Sequence, residues 1–280
     1  MSKQQSSVAT RRIGFELERL RRAAGHNLQN VAGALGVSIS TLSRLENGKR
    51  EPNVEEVASI LTFLGVVGPE RHRLLDEARG SGRTGHIEIS PVRSRTYRDF
   101  EMRATTITNY ELMLVPGLAQ TPDYTRAALN SLVFDQEKAD IEARVAQRAA
   151  RQNILNRPVP PQLHLIISEA ALRLRAGAHG VMAAQLRHLI TLSSRPKVSI
   201  RVVPALVGLH AGLSGQFSML DFPDASTIVH TEDSVTSLFV DDYRQVQLYR
   251  LTAEKLMTVA LDERKSVHLM VSIANGLDGG

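Results

Sequence analysis

The sequence predicts a two-domain protein, an N-terminal all-α head followed by a C-terminal α+β domain with a mixed sheet and terminal helices. Three observations predict it. Through residues 10–80, apolar residues recur at helical spacing between cap and stop signals. Next comes GSGRTG, Gly80 to Gly85, three glycines and a serine in six residues, the composition of a flexible connection. Beyond it, short β-like runs alternate with helical stretches and are separated by Gly, Pro and Asp. A chain of 280 residues accommodates two ordinary domains. The boundaries read as a disordered tail over 1–9, a head over 10–80, a linker over 81–94 and a second domain over 95–280.

The first helix spans Thr10 to Ala24, with Ile13, Leu17, Leu20 and Ala24 as its apolar stripe and Gly25 as its stop. Arg11, Arg12, Arg19 and Arg22 lie off that stripe. In Asn27–Arg50, NLQNVAGALGVSISTLSRLENGKR, Asn27 is an N-cap and Val31, Ala32 and Leu35 form the buried side of a short helix. Gly36 stands where a helix ends in a left-handed residue, and Val37 plugs the corner. Ser38 caps a second helix with Leu42 and Leu45 inward, closed by Asn47-Gly48. Two short helices joined in this way make a helix-turn-helix, whose second helix enters the major groove of DNA. Asn53 caps a fourth helix to Leu64, and Pro69 opens a fifth that ends near Arg79.

In the second region, residues 107–118 are β-like and stopped by Pro116-Gly117. A helix runs from Thr121-Pro122 to Leu132, and a longer one over 136–156 carries Ile141, Val145, Ala149 and Gln152 on one face and Arg144, Arg148 and Arg151 on another. Residues 162–167, 198–204, 216–222, 227–232 and 237–240 read as strands. Val181–Leu192, Asp241–Ala260 and Ser266–Ile273 read as helices.

Composition sets limits. Hydrophobic residues at 42% and charged residues at 22% are globular values. The absence of cysteine excludes disulfides and thiolate metal sites and fits a reducing compartment. No apolar run reaches transmembrane length, and MSKQQSSVATRR lacks the apolar core of a signal peptide, so a cytoplasmic location is expected. Residues 1–50 hold nine Lys/Arg against three acids, a local net charge of +6 in a chain whose total is +5. A basic end coinciding with a helix-turn-helix is the electrostatic footprint of DNA binding. His164, Glu169, His179, His188, His210, Glu232 and Asp233 adopt no metal-ligand spacing, and no nucleophile elbow, phosphate loop or dinucleotide fingerprint occurs. No enzyme, metal or cofactor is expected.

Bases are read by side chains that face outward near the start of the second helix of the motif. Arg44 is the principal candidate, because its planar fork can bond guanine O6 and N7 together. Ser40 can bond several base edges, Ile39 can touch a thymine methyl, and Thr41 can do either or reach phosphate. Ser38, Asn47, Lys49 and Arg50 are phosphate candidates, which position the protein without specifying sequence.

The run GVSISTLSRLENGKREP resembles the lambda-repressor-like heads of Cro/C1-type regulators, also called the xenobiotic-response-element family. The resemblance implies an ion pair between the residues here numbered Arg21 and Glu46. It also implies a phosphate-holding Gln just after the first cap. That position is Leu28 in this chain, and Gln29 beside it becomes the candidate. Farther along, VPGLAQTPDY, RVAQRAARQNIL, LIISEAALR and VVPALVGLHAGLSGQFSMLDFP resemble the C-terminal domain of WhiJ-like, Scr-type antitoxin-like regulators of actinobacteria. This implies a DNA-binding regulator paired with a small partner protein encoded nearby. Two roles for the second domain follow, an effector-sensing pocket or a platform for dimerisation and partner binding, and the resemblance favours the platform. A homodimer is expected on a double-stranded operator, because paired heads about one DNA turn apart, roughly 34–36 Å, gain specificity. Leu248, Leu251, Leu256 and Val259 form the stripe that would supply the contact.

Overall fold

The computed structural model describes residues 7–80, 86–89, 95–132, 140–233 and 236–278. In chain order its elements begin with α1 (Val8–Ala23), α2 (Leu28–Leu35), α3 (Ile39–Glu46), α4 (Val54–Phe63), α5 (Gly68–Arg79), β1 (His86–Ile89), α6 (Arg95–Glu101), β2 (Thr106–Glu111), α7 (Pro122–Leu132) and α8 (Ile141–Arg151). They continue with β3 (Gln162–Ser168), α9 (Glu169–Arg173), α10 (Val181–Ser193), β4 (Val198–Val203), β5 (Phe217–Asp221), β6 (Ile228–Glu232), β7 (Thr236–Val240), α11 (Tyr243–Val259) and α12 (Glu263–Asp278). The chain divides into two compact units, residues 1–99 with 222–246, and residues 100–221 with 247–280.

In the first unit, α1–α5 close around Ile13, Leu17, Leu20, Val31, Ala32, Leu42, Leu45, Val57, Ile60, Leu61 and Leu74. These are the positions at which apolar residues recur every three or four places, so each helix turns one stripe inward. Gly36 has φ 67° and ends α2 in the left-handed region, where the backbone N–H of Val37 reaches the Ala32 carbonyl at 3.0 Å. The helix α1 starts earlier than Thr10. Ser7 is its cap, accepting the Thr10 N–H at 3.1 Å, and Val8 is wholly buried with its N–H donated to Asp241 Oδ2 at 2.6 Å. Ser7 to Ala9 are thus part of the fold, and residues 1–6 lie outside the described residues.

The head is all-α through α5, as expected. The same unit holds an antiparallel run in which β1 pairs with β7 and β7 with β6. The expected linker therefore contains a strand at His86–Ile89, in register with Thr236–Phe239, while 81–85 and 90–94 lie outside the described residues. A four-residue strand completed by a partner far along the chain leaves no periodic signal of its own.

The second unit is built on the mixed run β5-β2-β3-β4, with β2, β3 and β4 parallel and β5 antiparallel to β2. Parallel neighbours need long crossovers, supplied by α7 and α8 between β2 and β3 and by α9 and α10 between β3 and β4. Leu163, Leu165, Ile166 and Ile167 of β3 are buried on both faces, as in a covered parallel strand. The helix α12 packs on α10 and β4, and the Ser266 hydroxyl accepts the Val202 N–H at 3.0 Å. This terminal helix is twice as long as the Ser266–Ile273 segment read from sequence.

Other elements differ from expectation for local reasons. The strand read over 107–118 ends at Glu111, and 115–122 instead forms a loop with a 3-10 turn at Gly117–Ala119. Buried amides hold it. Gln120 Nε2 donates to the Val115 carbonyl at 2.7 Å, and Gln185 Nε2 to the Ala119 carbonyl at 2.7 Å, while Gln185 Oε1 accepts the Thr121 N–H at 2.7 Å. The helix read over 136–156 is α8 followed by a 3-10 turn at Gln152–Asn156, residues 133–139 lying outside the described residues. Its inner face is Ile141, Val145 and Arg148, not Ala149, because the Arg148 guanidinium turns in to Gln120 Oε1. The helices α6 and α9 are short and gave no sequence signal. Among the described residues, no helix is long and apolar enough to cross a membrane.

Gly14 sets the distance between α1 and α3. A Cβ there would collide with the carbonyl oxygens of Leu45 and Glu46, whereas one on Gly33 of α2 would meet nothing within 4 Å. Gly14→Ala is expected to destabilise the protein by about 1–3 kcal/mol through overpacking against backbone. Gly33→Ala is expected to stabilise by about 0.5–1 kcal/mol through helix propensity. Thermal unfolding of the two variants beside the parent checks both signs.

Candidate nucleic-acid interface

The helix α3 presents one face to the core and one to solvent. Leu42, Leu45 and Glu46 are buried, while Ser40 and Arg44 are exposed and Ile39 is 49% exposed. Ser38 fixes the start of the helix. Its Oγ accepts the Thr41 N–H at 3.0 Å and lies 2.8 Å from Thr41 Oγ1, so the Thr41 hydroxyl belongs to the cap. Asn47 Nδ2 donates to the Ser43 carbonyl at 2.8 Å and closes the other end.

The helix is oriented by a buried ion pair. Arg21 Nε and Nη2 donate to Glu46 Oε1 and Oε2, both at 2.7 Å, in a fork-to-fork arrangement. Arg21 Nη1 donates to the His26 carbonyl at 2.8 Å, which ties the turn between α1 and α2 to the same group. The side chains are 8% and 4% exposed. Hydrogen bonding to the Glu46 carboxylate holds the Arg21 guanidinium above its ordinary pKa, against the opposing effect of burial.

The basic excess is largely neutralised inside the fold. Arg12 pairs with Glu77, Arg19 with Glu16 and Glu70, and Arg22 with Glu18. Arg50 donates to Glu56 at 2.7 Å, and Lys49 Nζ to Asp224 Oδ2 at 3.1 Å. Arg11, although off the apolar stripe, is buried. Its Nη1 and Nη2 donate to the Ser226 carbonyl and hydroxyl at 3.0 and 3.3 Å, and its guanidinium lies 5.0 Å from the Phe222 ring centroid. Burial pushes its pKa down to about 10, partly offset by the Asp241 carboxylate, and it remains a cation at neutral pH. Among the described residues, Arg44 is the one Lys or Arg of residues 7–50 whose side chain makes no ion pair or hydrogen bond.

The predicted residues therefore fall into three groups. Ile39, Ser40 and Arg44 share the open face of α3, and Gln29 is exposed on α2. Ser38, Thr41 and Asn47 stand at the helix ends within capping bonds. Lys49 and Arg50 lie just past α3, each on a carboxylate. Sequence reasoning missed Asp224 and Ser226, which contact the head from nearly two hundred residues away, and no local pattern marks them.

Residues 94–271 match the family model described as Domain of unknown function (DUF5753), and residues 12–74 match one described as Helix-turn-helix domain. The chain belongs to the DUF5753 family. Its head is a helix-turn-helix DNA-binding domain, in agreement with α1–α5. No curated protein matches the chain. Among solved structures it is similar to TrmBL2, an archaeal chromatin protein whose structure shows a novel mode of DNA binding. That likeness has 11% identity and a TM-score of 0.31, over 73% of this chain and 70% of that one, and no shared fold follows from it.

Removing one partner of the Arg21–Glu46 pair strands the other charge in the core. Glu46→Ala is expected to cost roughly 3–5 kcal/mol, and the double change Arg21→Met with Glu46→Leu to recover most of that loss. Denaturant unfolding of the full chain measures both. A loss under about 1 kcal/mol for the single change would assign the pair the energetics of an exposed contact.

Proposed function

We propose that this chain is a sequence-specific transcriptional regulator of the Cro/C1-type, lambda-repressor-like kind, with an antitoxin-like organisation of the WhiJ type. It acts in the cytoplasm as a homodimer on a double-stranded operator, without catalysis or cofactor. Its second domain serves dimerisation and binds a small partner protein encoded nearby. The observation that carries the reading is Arg44. An exposed guanidinium without a side-chain partner among the described residues, beside Ser40 and Ile39 on the open face of a capped recognition helix, suits direct readout of a guanine.

Ser38, Gln29, Asn47, Lys49 and Arg50 serve the phosphates around that face. The dimer is supported by α11, where Leu248 and Leu251 are 64% and 52% exposed while Leu256 is fully buried. The stripe thus splits into a core half and a half left for a second copy.

Two experiments test these assignments. On single-base variants of an operator selected from random duplexes, Arg44→Ala is expected to lose roughly 1–3 kcal/mol of discrimination at one base pair, and Lys49→Ala to weaken all duplexes alike. Equal, sequence-independent losses for both would remove Arg44 from base readout. Light scattering of the full chain is expected to give the dimer mass, and Leu248→Asp with Leu251→Asp to give the monomer. A parent that is already monomeric and protects a single half-site would end the dimer reading.

A further inference from the structure

The segment Phe222–Ser226 leads into β6 and is fastened to the first turns of α1. Arg11, 2% exposed, holds it at Ser226 through two hydrogen bonds and at Phe222 through the ring face. Asp241, past the end of β7, accepts the Val8 N–H at 2.6 Å and lies in the field of Arg11. The hairpin between these points is thereby tied to α1 at both ends. Within the segment, Asp224 Oδ2 stands 3.1 Å from Lys49 Nζ. The two side chains are 68% and 48% exposed, so the contact lies on the surface where Lys49 leaves the recognition helix.

A fixed carboxylate at a lysine meant for phosphate has a physical consequence. It neutralises the ammonium, and its own negative charge repels an incoming phosphate within a Debye length. We propose that Asp224 is an affinity-setting residue of the DNA interface, an acidic group that occupies the phosphate subsite of Lys49 and weakens DNA binding without regard to sequence. The inference rests on the DNA-binding reading given above. It adds that the hairpin following Phe222 takes part in the interface through its charge.

Because a phosphate subsite does not depend on bases, a labelled mixed-sequence duplex of about two helical turns suffices as probe, titrated across a salt series. Asp224→Asn is expected to bind about two- to fivefold more tightly than the parent, the range that an exposed ion pair supports, with a salt slope steeper by about one. In a Lys49→Ala background the same change is expected to lose most of that gain. Unchanged or weaker binding by Asp224→Asn would overturn the proposal. So would an equal gain in the Lys49→Ala background, which would mean a general charge effect. A parent that binds no duplex even at low salt would instead end the DNA reading itself.

Discussion

A carboxylate as deeply buried as that of Glu46 persists only where a cation and hydrogen-bond donors compensate its lost hydration. Arg21 supplies both in one rigid plane, with two donors to Glu46 and a third to the His26 carbonyl. Everything that α3 offers to solvent depends on this arrangement, because Glu46 is the last residue of that helix and Arg21 lies in the last turn of α1. Gly14 acts together with the pair. Its missing Cβ admits the carbonyls of Leu45 and Glu46 to the side of α1, and so brings Glu46 within reach. Charge pairing and backbone approach fix the same helix crossing, and the open face with Ile39, Ser40 and Arg44 follows from it.

The distribution of charge explains why net charge alone describes this interface poorly. Most arginines of α1 are engaged with acids of the head, Arg12 and Arg19 reaching across to α5, in place of forming a free basic surface. What remains available is concentrated near α3. Arg44 is unpaired among the described residues, and Lys49 and Arg50 are held by single carboxylates at the surface. Surface pairs of that kind contribute little to stability, roughly 0–1 kcal/mol, and can be exchanged for phosphate at small cost.

The second unit is held together differently. Its parallel strands are covered on both faces, and the loop over 115–122 is held by buried glutamines whose amide groups bond the backbone in place of strand partners. Gln120, Gln185 and Arg148 are polar side chains at positions that a binary pattern assigns to the outside or leaves unread. Gln120 is satisfied by the Val115 carbonyl of its own loop, while Gln185 and Arg148 meet theirs only after the crossover helices fold back.

The helix-turn-helix was legible because its determinants are local. The Asn27 and Ser38 caps, the Gly36 turn and the apolar spacing act within a few residues of one another, and the structure places α2 and α3 on those bounds. Most strands and helices after the head were legible as runs for the same reason, but α6 and α9 are too short to show a period. Tertiary structure alone decided the rest. It buried Arg11, turned Arg148 inward, made a strand of His86–Ile89 and brought Asp224 to Lys49. Each of these depends on a partner distant in the chain, and periodicity carries no information about which distant residue a side chain meets.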